Sequence, residues 1–224
     1  MRMVEPWIRK FFVKRILHDW ETWGFKGVFI YGAQGSGKTI LMLKILAGVY
    51  DDWHVALDRM FFTLPEFGNT AKHYIPSIRE SKDRFPAIGW DDAGVYLSKF
   101  KWQDWDFAEA LQNTVELARR FTASFILTAT HPKKVMKVLR DSMDWWFVEV
   151  KVYNNTYSSA TVYENRLTPT GRQYARKIAE GFLYKRELPR TIYQEYQKRM
   201  RSYTLQARLL FEEPGGEQGV EEKR

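Results

Sequence analysis

A glycine-rich stretch, "YGAQGSGKT" at residues 31–39, constrains the fold of this chain more than any other feature. It follows the apolar run 28–31 and precedes "TILMLKILAGVY", which predicts a helix that ends near Gly48. Glycine lets successive backbone N–H groups turn inward, and the N-terminus of the following helix adds partial positive charge. A strand, a loop and a helix in this order are therefore typical of a phosphate-binding site.

The spacing of Gly32, Gly37, Lys38 and Thr39 matches the pattern G-x-x-x-x-G-K-[ST]. We expect Lys38 to bridge the β- and γ-phosphates of ATP and the Thr39 hydroxyl to hold Mg²⁺. ATP and Mg²⁺ are thus the predicted cofactors. The predicted cofactor-binding residues are Gly32, Ala33, Gln34, Gly35, Ser36, Gly37, Lys38, Thr39 and Ile40.

A pair of acids follows the apolar residues of "AIGWDDAG", at 87–94, which reads as a strand. A nucleoside triphosphatase needs a carboxylate beside the metal and a base that orients the attacking water. We assign these roles to Asp91 and Asp92, respectively. The alternative for either residue is that it caps the following helix. Asp92 is one methylene shorter than the more usual Glu, so the water or the loop must lie closer.

The predicted elements alternate between strands and helices after an amphipathic helix within residues 1–24. Strands are predicted around 54–64, 87–92 and 123–132, and helices near 64–75, 106–121 and 133–143. Such alternation over 27–150 indicates a mostly parallel sheet with helices on both faces, an α/β fold.

The pattern changes after residue 150. Apolar and polar residues alternate on both sides of Asn154 and Asn155, which predicts an antiparallel hairpin at one edge of the sheet. Two C-terminal helices are predicted next, at 167–182 and 188–211, and residues 212–224 are expected to be disordered. The prediction is one ATPase domain, 1–211, with a nucleotide-binding core at 27–150 and a basic region at 151–211.

Charge and composition limit the partners. The net charge is +8, and removing the −3 of the last thirteen residues leaves +11, which favours polyanions. Without cysteine the chain has no disulfide, no thiolate nucleophile and no sulfur-ligated zinc. No apolar run reaches the roughly 18 residues of a membrane span, so we expect no membrane insertion and a cytoplasmic location.

The motifs "GAQGSGKT", "AIGWDDAG" and "FILTATHP" together resemble the core of P-loop ATPases that carry an extra strand between the phosphate loop and the metal acid. This group includes the AAA+ and FtsK/HerA proteins. The resemblance implies a γ-phosphate sensor at Thr128 or Thr130, which are alternatively ordinary strand residues. It also implies a ring-shaped homo-oligomer in which a neighbour's arginine stabilises developing charge. The candidates are Arg140, Arg119 and Arg120, and the alternative for each is a surface salt bridge.

Two branches of this group are compatible with the sequence. Residues 126–164 resemble FtsK/HerA-type translocases, and the small DNA-packaging ATPases of archaeal viruses and the Zot-type phage proteins share this plan. In that case the host cytoplasm is the expected location. The "DDAG" motif is similar to DnaC/IstB-like AAA+ helicase loaders, which normally close with a helical lid. The sensor is usually Gln in translocases and is Thr here. A small-molecule kinase with an arginine-rich lid at 171–190 is a third possibility.

Basic residues cluster between Arg166 and Arg201, where ten Lys or Arg stand against three Glu and are interleaved with aromatic residues. Such a segment can neutralise DNA phosphates without reading sequence; the alternative is a solvated basic helix pair. The DNA-contact candidates are Arg172, Arg176, Lys177, Lys185 and Arg186, and Lys99, Lys101, Trp102 and Trp105 form a second candidate group. Because no base-reading motif is present, we expect DNA binding that is largely independent of sequence.

Overall fold

The computed structural model describes residues 4–63, 66, 68–69, 77–91, 118–131 and 144–209. The chain divides into two compact units, Met1–Glu187 and Leu188–Arg224. The first unit contains the sheet and the glycine-rich loop, and the second contains the helix Arg190–Leu209. The assignment of one domain to residues 1–211 stays a prediction.

In the described part of the chain, seven strands form one mixed sheet in the order β2-β3-β4-β1-β5-β6-β7. The first five strands in this order are parallel, and β5, β6 and β7 pair antiparallel. The predicted α/β class, with an antiparallel hairpin at one edge, is confirmed. The strands are β1 (Gly27–Tyr31), β2 (Met60–Phe61), β3 (Ile88–Trp90), β4 (Phe125–Ala129), β5 (Trp145–Val152), β6 (Tyr157–Leu167) and β7 (Gln173–Lys185).

The strand order brings the glycine-rich loop and the acid pair to one edge. β4 lies between β1 and β3, with Val28 opposite Ile126 and Ile88 opposite Phe125. This is the predicted extra strand. Because these strands are parallel, the loop after β1 and Asp91 after β3 both lie at the carboxyl edge of the sheet.

An almost fully buried helix follows the loop. The described residues include the helices α1 (Pro6–Ile8), α2 (Lys14–Glu21), α3 (Lys38–Tyr50), α4 (Trp53–Asp58) and α5 (Arg190–Leu209). A π-helical turn, Arg9–Val13, joins α1 to α2, and a 3-10 turn covers Ser81–Asp83. α3 packs between the sheet and the N-terminal helices. On the sheet side, Met42 of α3 lies so close to Gly89 of β3 that a Cβ there would be 2.8 Å from its sulfur atom. On the other side, a Cβ at Gly48 of α3 would lie 2.8 Å from the Val13 side chain. α3 is therefore fixed from both sides.

The opposite face of the sheet carries an aromatic cluster. Phe29, Phe125 and Leu127 lie on neighbouring strands and pack with Phe85 and Phe121. Residues 118–121 are helical, in agreement with the end of the helix predicted at 106–121. Because the cluster also includes Trp90 of β3, this core holds β1, β4 and β3, and hence their carboxyl ends, in a fixed relation.

The helix predicted at 167–182 is wrong. This segment forms the end of β6, a turn and most of β7. β7 pairs with β6 along its length: Gln173 lies opposite Leu167 at one end, and Lys185 lies opposite Tyr157 at the other. Its Ala, Arg, Lys and Glu residues favour helix intrinsically, but pairing along the whole length of β6 overrides that preference. Gly171, with φ of +79°, permits the turn.

The strand predicted at 54–64 is correct only for Met60–Phe61, since α4 occupies Trp53–Asp58. Asp52 caps this helix: its carboxylate accepts hydrogen bonds from the backbone N–H groups of His54 (2.7 Å) and Val55 (3.1 Å). The helix predicted at 133–143 lies outside the described residues, as does most of those predicted at 64–75 and 106–121.

Candidate functional site

The glycines of the loop between β1 and α3 serve different purposes. Gly35 and Gly37 adopt left-handed backbone conformations, with φ of +74° and +94°, which favour glycine. Gly32 is required for space, because a Cβ there would lie 2.2 Å from the Val150 carbonyl oxygen. The loop therefore lies directly against β5, while its tip, Ala33–Gly35, is exposed.

Lys38, the first residue of α3, folds back over this loop. Its Nζ donates a hydrogen bond to the carbonyl oxygen of Ala33 at 3.0 Å, and the backbone N–H of Ser36 donates to the same oxygen at 3.2 Å. Two donors thus converge on one oxygen atom of the loop. A phosphate oxygen could take the same pair of donors.

Asp91 is the centre of a buried polar cluster. It is 2% exposed, and its carboxylate accepts hydrogen bonds from Thr39 Oγ1, at 2.9 Å to Oδ1 and 3.0 Å to Oδ2. Thr128 Oγ1 donates to Oδ1 at 2.7 Å. The three residues come from α3, the end of β3 and β4, so the strand order creates this cluster. These hydrogen bonds offset the cost of burying the carboxylate.

The oxygen atoms of Thr39 and Asp91 fit Mg²⁺. Hydroxyl and carboxylate oxygens are the hard donors that Mg²⁺ prefers, and it usually takes one or two carboxylates together with phosphate and water. Because the two side chains touch, they can contact one ion together. No cluster of three or more His, Cys, Asp or Glu with metal-binding geometry occurs among the described residues, and a site of this kind does not require one.

The two sensor candidates differ in their surroundings. Thr128 is 1% exposed within β4 and contacts Asp91, so its hydroxyl orients the predicted metal ligand. Thr130 follows the end of β4 and is half-buried. Both lie at the loop edge of the sheet, and the assignment of a phosphate sensor to either stays a prediction.

Arg119 and Arg120 lie at the opposite edge of the sheet. They precede β4, and Arg119 Nη2 lies 2.7 Å from Asp144 Oδ2, just before β5. The five residues of β1 separate the two edges by about 16 Å. Neither arginine can therefore serve the loop of its own chain, and a role for either in a neighbouring subunit stays a prediction. Asp92, Arg140 and the group from Lys99 to Trp105 lie outside the described residues.

Two side chains of the β6–β7 hairpin and one from the residue just after it contact the glycine-rich loop. Arg186, Ser158 and Tyr184 donate hydrogen bonds to the carbonyl oxygens of residues 35, 36 and 37, respectively. The sequence reasoning missed these contacts because it treated 167–182 as helical. The alternation around Asn154 and Asn155 predicted β6, but no signal in the sequence gave the register that places Tyr184 beside Ser158.

Exposed basic side chains lie along β7 and the turn before it, among them Arg172 and Arg176. Lys177 forms an ion pair with Glu180, and Lys185 with Glu187. Hydrogen bonds from these lysines to the glutamates raise the pKa of both lysines, so both remain charged at neutral pH. Arg186 differs, since its guanidinium contacts backbone carbonyls. DNA contact by any of these residues stays a prediction.

Comparison with known proteins identifies viral relatives. No protein-family model matches the sequence. The chain is 25% identical over 205 residues to the uncharacterized protein B-251 of Sulfolobus spindle-shape virus 1, covering 84% of this chain and 79% of the relative. It is 23% identical over 158 residues to the uncharacterized protein ORF286 of Acidianus two-tailed virus, covering 69% of this chain and 54% of that relative. This chain thus matches about half the length of the second relative.

Solved structures with a similar chain path include the N-terminal domain of zonular occludens toxin from Neisseria meningitidis, with a TM-score of 0.41 and 15% identity over 76% of this chain and 98% of that one. FlaH, a flagellar accessory protein of Methanocaldococcus jannaschii, has a TM-score of 0.38 and 12% identity over 79% and 94%. A KaiC-like protein from Pyrococcus horikoshii has a TM-score of 0.34 and 12% identity over 69% and 89%.

The helices also bear on the prediction about membranes. Within the described part of the chain, no helix has the length and apolar character needed to cross a membrane.

Proposed function

We propose that this chain is a magnesium-dependent ATPase whose glycine-rich loop holds the triphosphate. The observation that carries the proposal is the contact between Thr39 Oγ1 and Asp91 Oδ1 at 2.9 Å. Thr39 is the second residue of α3, and Asp91 directly follows β3, which lies two positions from β1 in the sheet. A phosphate-binding loop and an acidic oxygen ligand for Mg²⁺ therefore share one site.

Each residue has a distinct role in this proposal. Lys38 exchanges the Ala33 carbonyl oxygen for phosphate oxygens, while Thr39 and Asp91 hold the metal and Thr128 orients the Asp91 carboxylate. When bound, Mg²⁺ would offset the negative charge that develops on the phosphate oxygens. In hydrolysis, water forms a bond to the γ-phosphorus, the bond from that phosphorus to the bridging oxygen breaks, and Asp92 orients the water and accepts its proton.

The finer proposal is that the ATPase acts on DNA, as an oligomeric translocase or genome-packaging motor. Its support is the charge of +11 outside the acidic tail, the exposed basic residues of β7 and the viral relatives. We propose the cytoplasm of the infected host as the location. The antiparallel edge formed by β5, β6 and β7 favours the translocase type over a helicase loader, whose resemblance implies a helical lid. The kinase alternative loses support because its proposed lid is a strand.

The central test is ATP hydrolysis with and without Mg²⁺. Lys38→Ala should lose most nucleotide binding or turnover, whereas Lys82→Ala, at an exposed lysine, should behave like the wild-type protein. Asp92→Asn should keep nucleotide binding but hydrolyse ATP about 10²-fold more slowly. Unchanged hydrolysis in Lys38→Ala would remove the ATPase proposal, and an unchanged rate in Asp92→Asn would assign the water to another residue.

The DNA proposal has its own test. Hydrolysis should rise with DNA, and removing Arg172 or Arg176 should reduce the slope of log affinity against log salt by about one for each phosphate that is no longer neutralised. Mixing Arg140→Ala with Lys38→Ala protein should restore some activity if the arginine acts across subunits. DNA binding that ignores salt, by a protein that is monomeric and fully active, would exclude the motor.

A further inference from the structure

Three successive carbonyl groups of the glycine-rich loop are hydrogen-bonded from one side by the hairpin. Arg186 Nη1 donates to Gly35 O at 3.3 Å, Ser158 Oγ donates to Ser36 O at 2.6 Å, and the Tyr184 hydroxyl donates to Gly37 O at 3.1 Å. The donors come from β6, β7 and the residue after β7. A separate part of the sheet therefore holds the carbonyls of residues 35 and 36, and it shares the Gly37 carbonyl with α3, whose Leu41 N–H donates to the same oxygen at 3.0 Å.

The donors are themselves held firmly. Ser158 and Tyr184 are fully buried, and the neighbouring Phe182 ring stacks on Trp7 with centroids 4.6 Å apart. Burial raises the pKa of Tyr184, so its hydroxyl keeps its proton at neutral pH. Arg186 Nη2 also donates to the carbonyls of Asn154 and Asn155, both at 2.7 Å. This guanidinium joins the loop to the β5–β6 turn, which the single ammonium of a lysine cannot reproduce.

Fixing these carbonyls also fixes the N–H groups. In a planar trans peptide the C=O of one residue and the N–H of the next point in opposite directions. Carbonyls of residues 35, 36 and 37 that face the hairpin therefore turn the N–H groups of 36, 37 and 38 to the other side of the loop. The hydrogen bond from Ser36 N–H to Ala33 O agrees with this direction, because Lys38 Nζ donates to the same oxygen.

We propose that Ser158, Tyr184 and Arg186 are positioning residues that hold the N–H groups of the glycine-rich loop toward the nucleotide phosphates. The proposal rests on the proposed nucleotide binding, and it assigns the hairpin a part in that binding. The close fit at Gly37 supports it, because a Cβ there would lie 3.2 Å from both the Tyr184 hydroxyl and Arg186 Cγ. The loop and the hairpin are therefore matched in shape as well as in hydrogen bonding.

Matched variants test this proposal. Ser158→Ala removes one donor, and Ser159→Ala, at the next residue of β6, is its control. Tyr184→Phe removes the second donor, with Tyr174→Phe, at an exposed tyrosine of β7, as its control. Each variant without a donor should bind ATP about fivefold more weakly, on the general scale for a neutral hydrogen bond, while its affinity for AMP stays unchanged. Arg186→Lys should weaken ATP binding despite keeping the charge.

Two measurements separate this proposal from the ATPase proposal. If the wild-type protein fails to bind ATP, the ATPase proposal fails, and hydrogen exchange of the nucleotide-free protein still tests the hairpin. The amides of residues 36–38 should exchange about fivefold faster in Ser158→Ala and Tyr184→Phe than in their controls. If the variants match their controls in exchange and in the ratio of ATP to AMP affinity, the positioning role is refuted. An equal loss of ATP and AMP affinity also refutes it, since that indicates general destabilisation.

Discussion

Gly32→Ala should destabilise the fold far more than Gly35→Ala, although both glycines belong to one loop. A Cβ at Gly32 would lie 2.2 Å from the Val150 carbonyl oxygen, whereas a Cβ at Gly35 would meet nothing within 4 Å. Val150 belongs to β5, the direct neighbour of β1 in the sheet. The obstacle at Gly32 is thus main chain, which cannot rotate aside as a side chain can.

The geometry gives the expected magnitudes. Ordinary contact begins at 3.4 Å, so relief at Gly32 requires the loop and β5 to separate by about 1 Å. Forcing a well-packed region apart in this way typically costs about 1–3 kcal/mol, and we expect about 3 kcal/mol because the clash is with backbone. At Gly35 the cost is that of placing alanine at a φ of +74°, about 1 kcal/mol.

Urea unfolding followed by tryptophan fluorescence measures both values, provided that the slope of unfolding free energy against urea stays constant. The difference in unfolding free energy between the two variants should be about 2 kcal/mol. Equal stabilities, or a greater loss at Gly35, would refute the assignment of Gly32 to close packing against β5.

Two further predictions concern charged groups. Lys44→Met should lower the unfolding free energy by about 3 kcal/mol, measured by urea unfolding. It removes the ammonium that lies 2.5 Å from the Glu5 carboxylate and leaves that carboxylate the backbone N–H of Lys185. Adding Glu5→Gln should recover part of the loss, and no recovery would contradict the ion pair. Backbone N–H groups of Glu80 and Arg79 lower the pKa of Asp83 in the folded protein, so its contribution to stability is present above the unfolded pKa and is lost as pH falls through the folded value. Asp83→Asn should therefore flatten the fall in melting temperature below about pH 4, and an unchanged slope would contradict this.

Short sequence motifs were enough to predict much of the fold. The spacing of Gly32, Lys38 and Thr39 within one short segment predicted the phosphate-binding loop, and the apolar run before Asp91 predicted a strand. Parallel strands end at the same edge, so the contact between Thr39 and Asp91 follows from two local predictions and one topological rule. Thr128 was predicted at this edge as well, but its hydrogen bond to Asp91 depends on β4 lying next to β3.

The rest depended on contacts between distant segments. Residues 167–182 have helical composition, and only their pairing with β6 determines that they form a strand. Tyr184 and Arg186 looked like members of a basic, aromatic surface, yet in the folded chain both contact the glycine-rich loop. Intrinsic propensity contains no information about such contacts, because they are created by strand register.

The hydrogen bond from Trp7 Nε1 to the Leu183 carbonyl, at 2.8 Å, joins residues 176 positions apart and has a consequence for the order of folding. Such long-range contacts slow folding, because a large loop must close before they form. At a synthesis rate of about 5–20 residues per second, Leu183 is added to the chain roughly 10–35 s after Trp7. The glycine-rich loop, which contacts Tyr184, therefore reaches its final conformation late, after nearly all the strands exist.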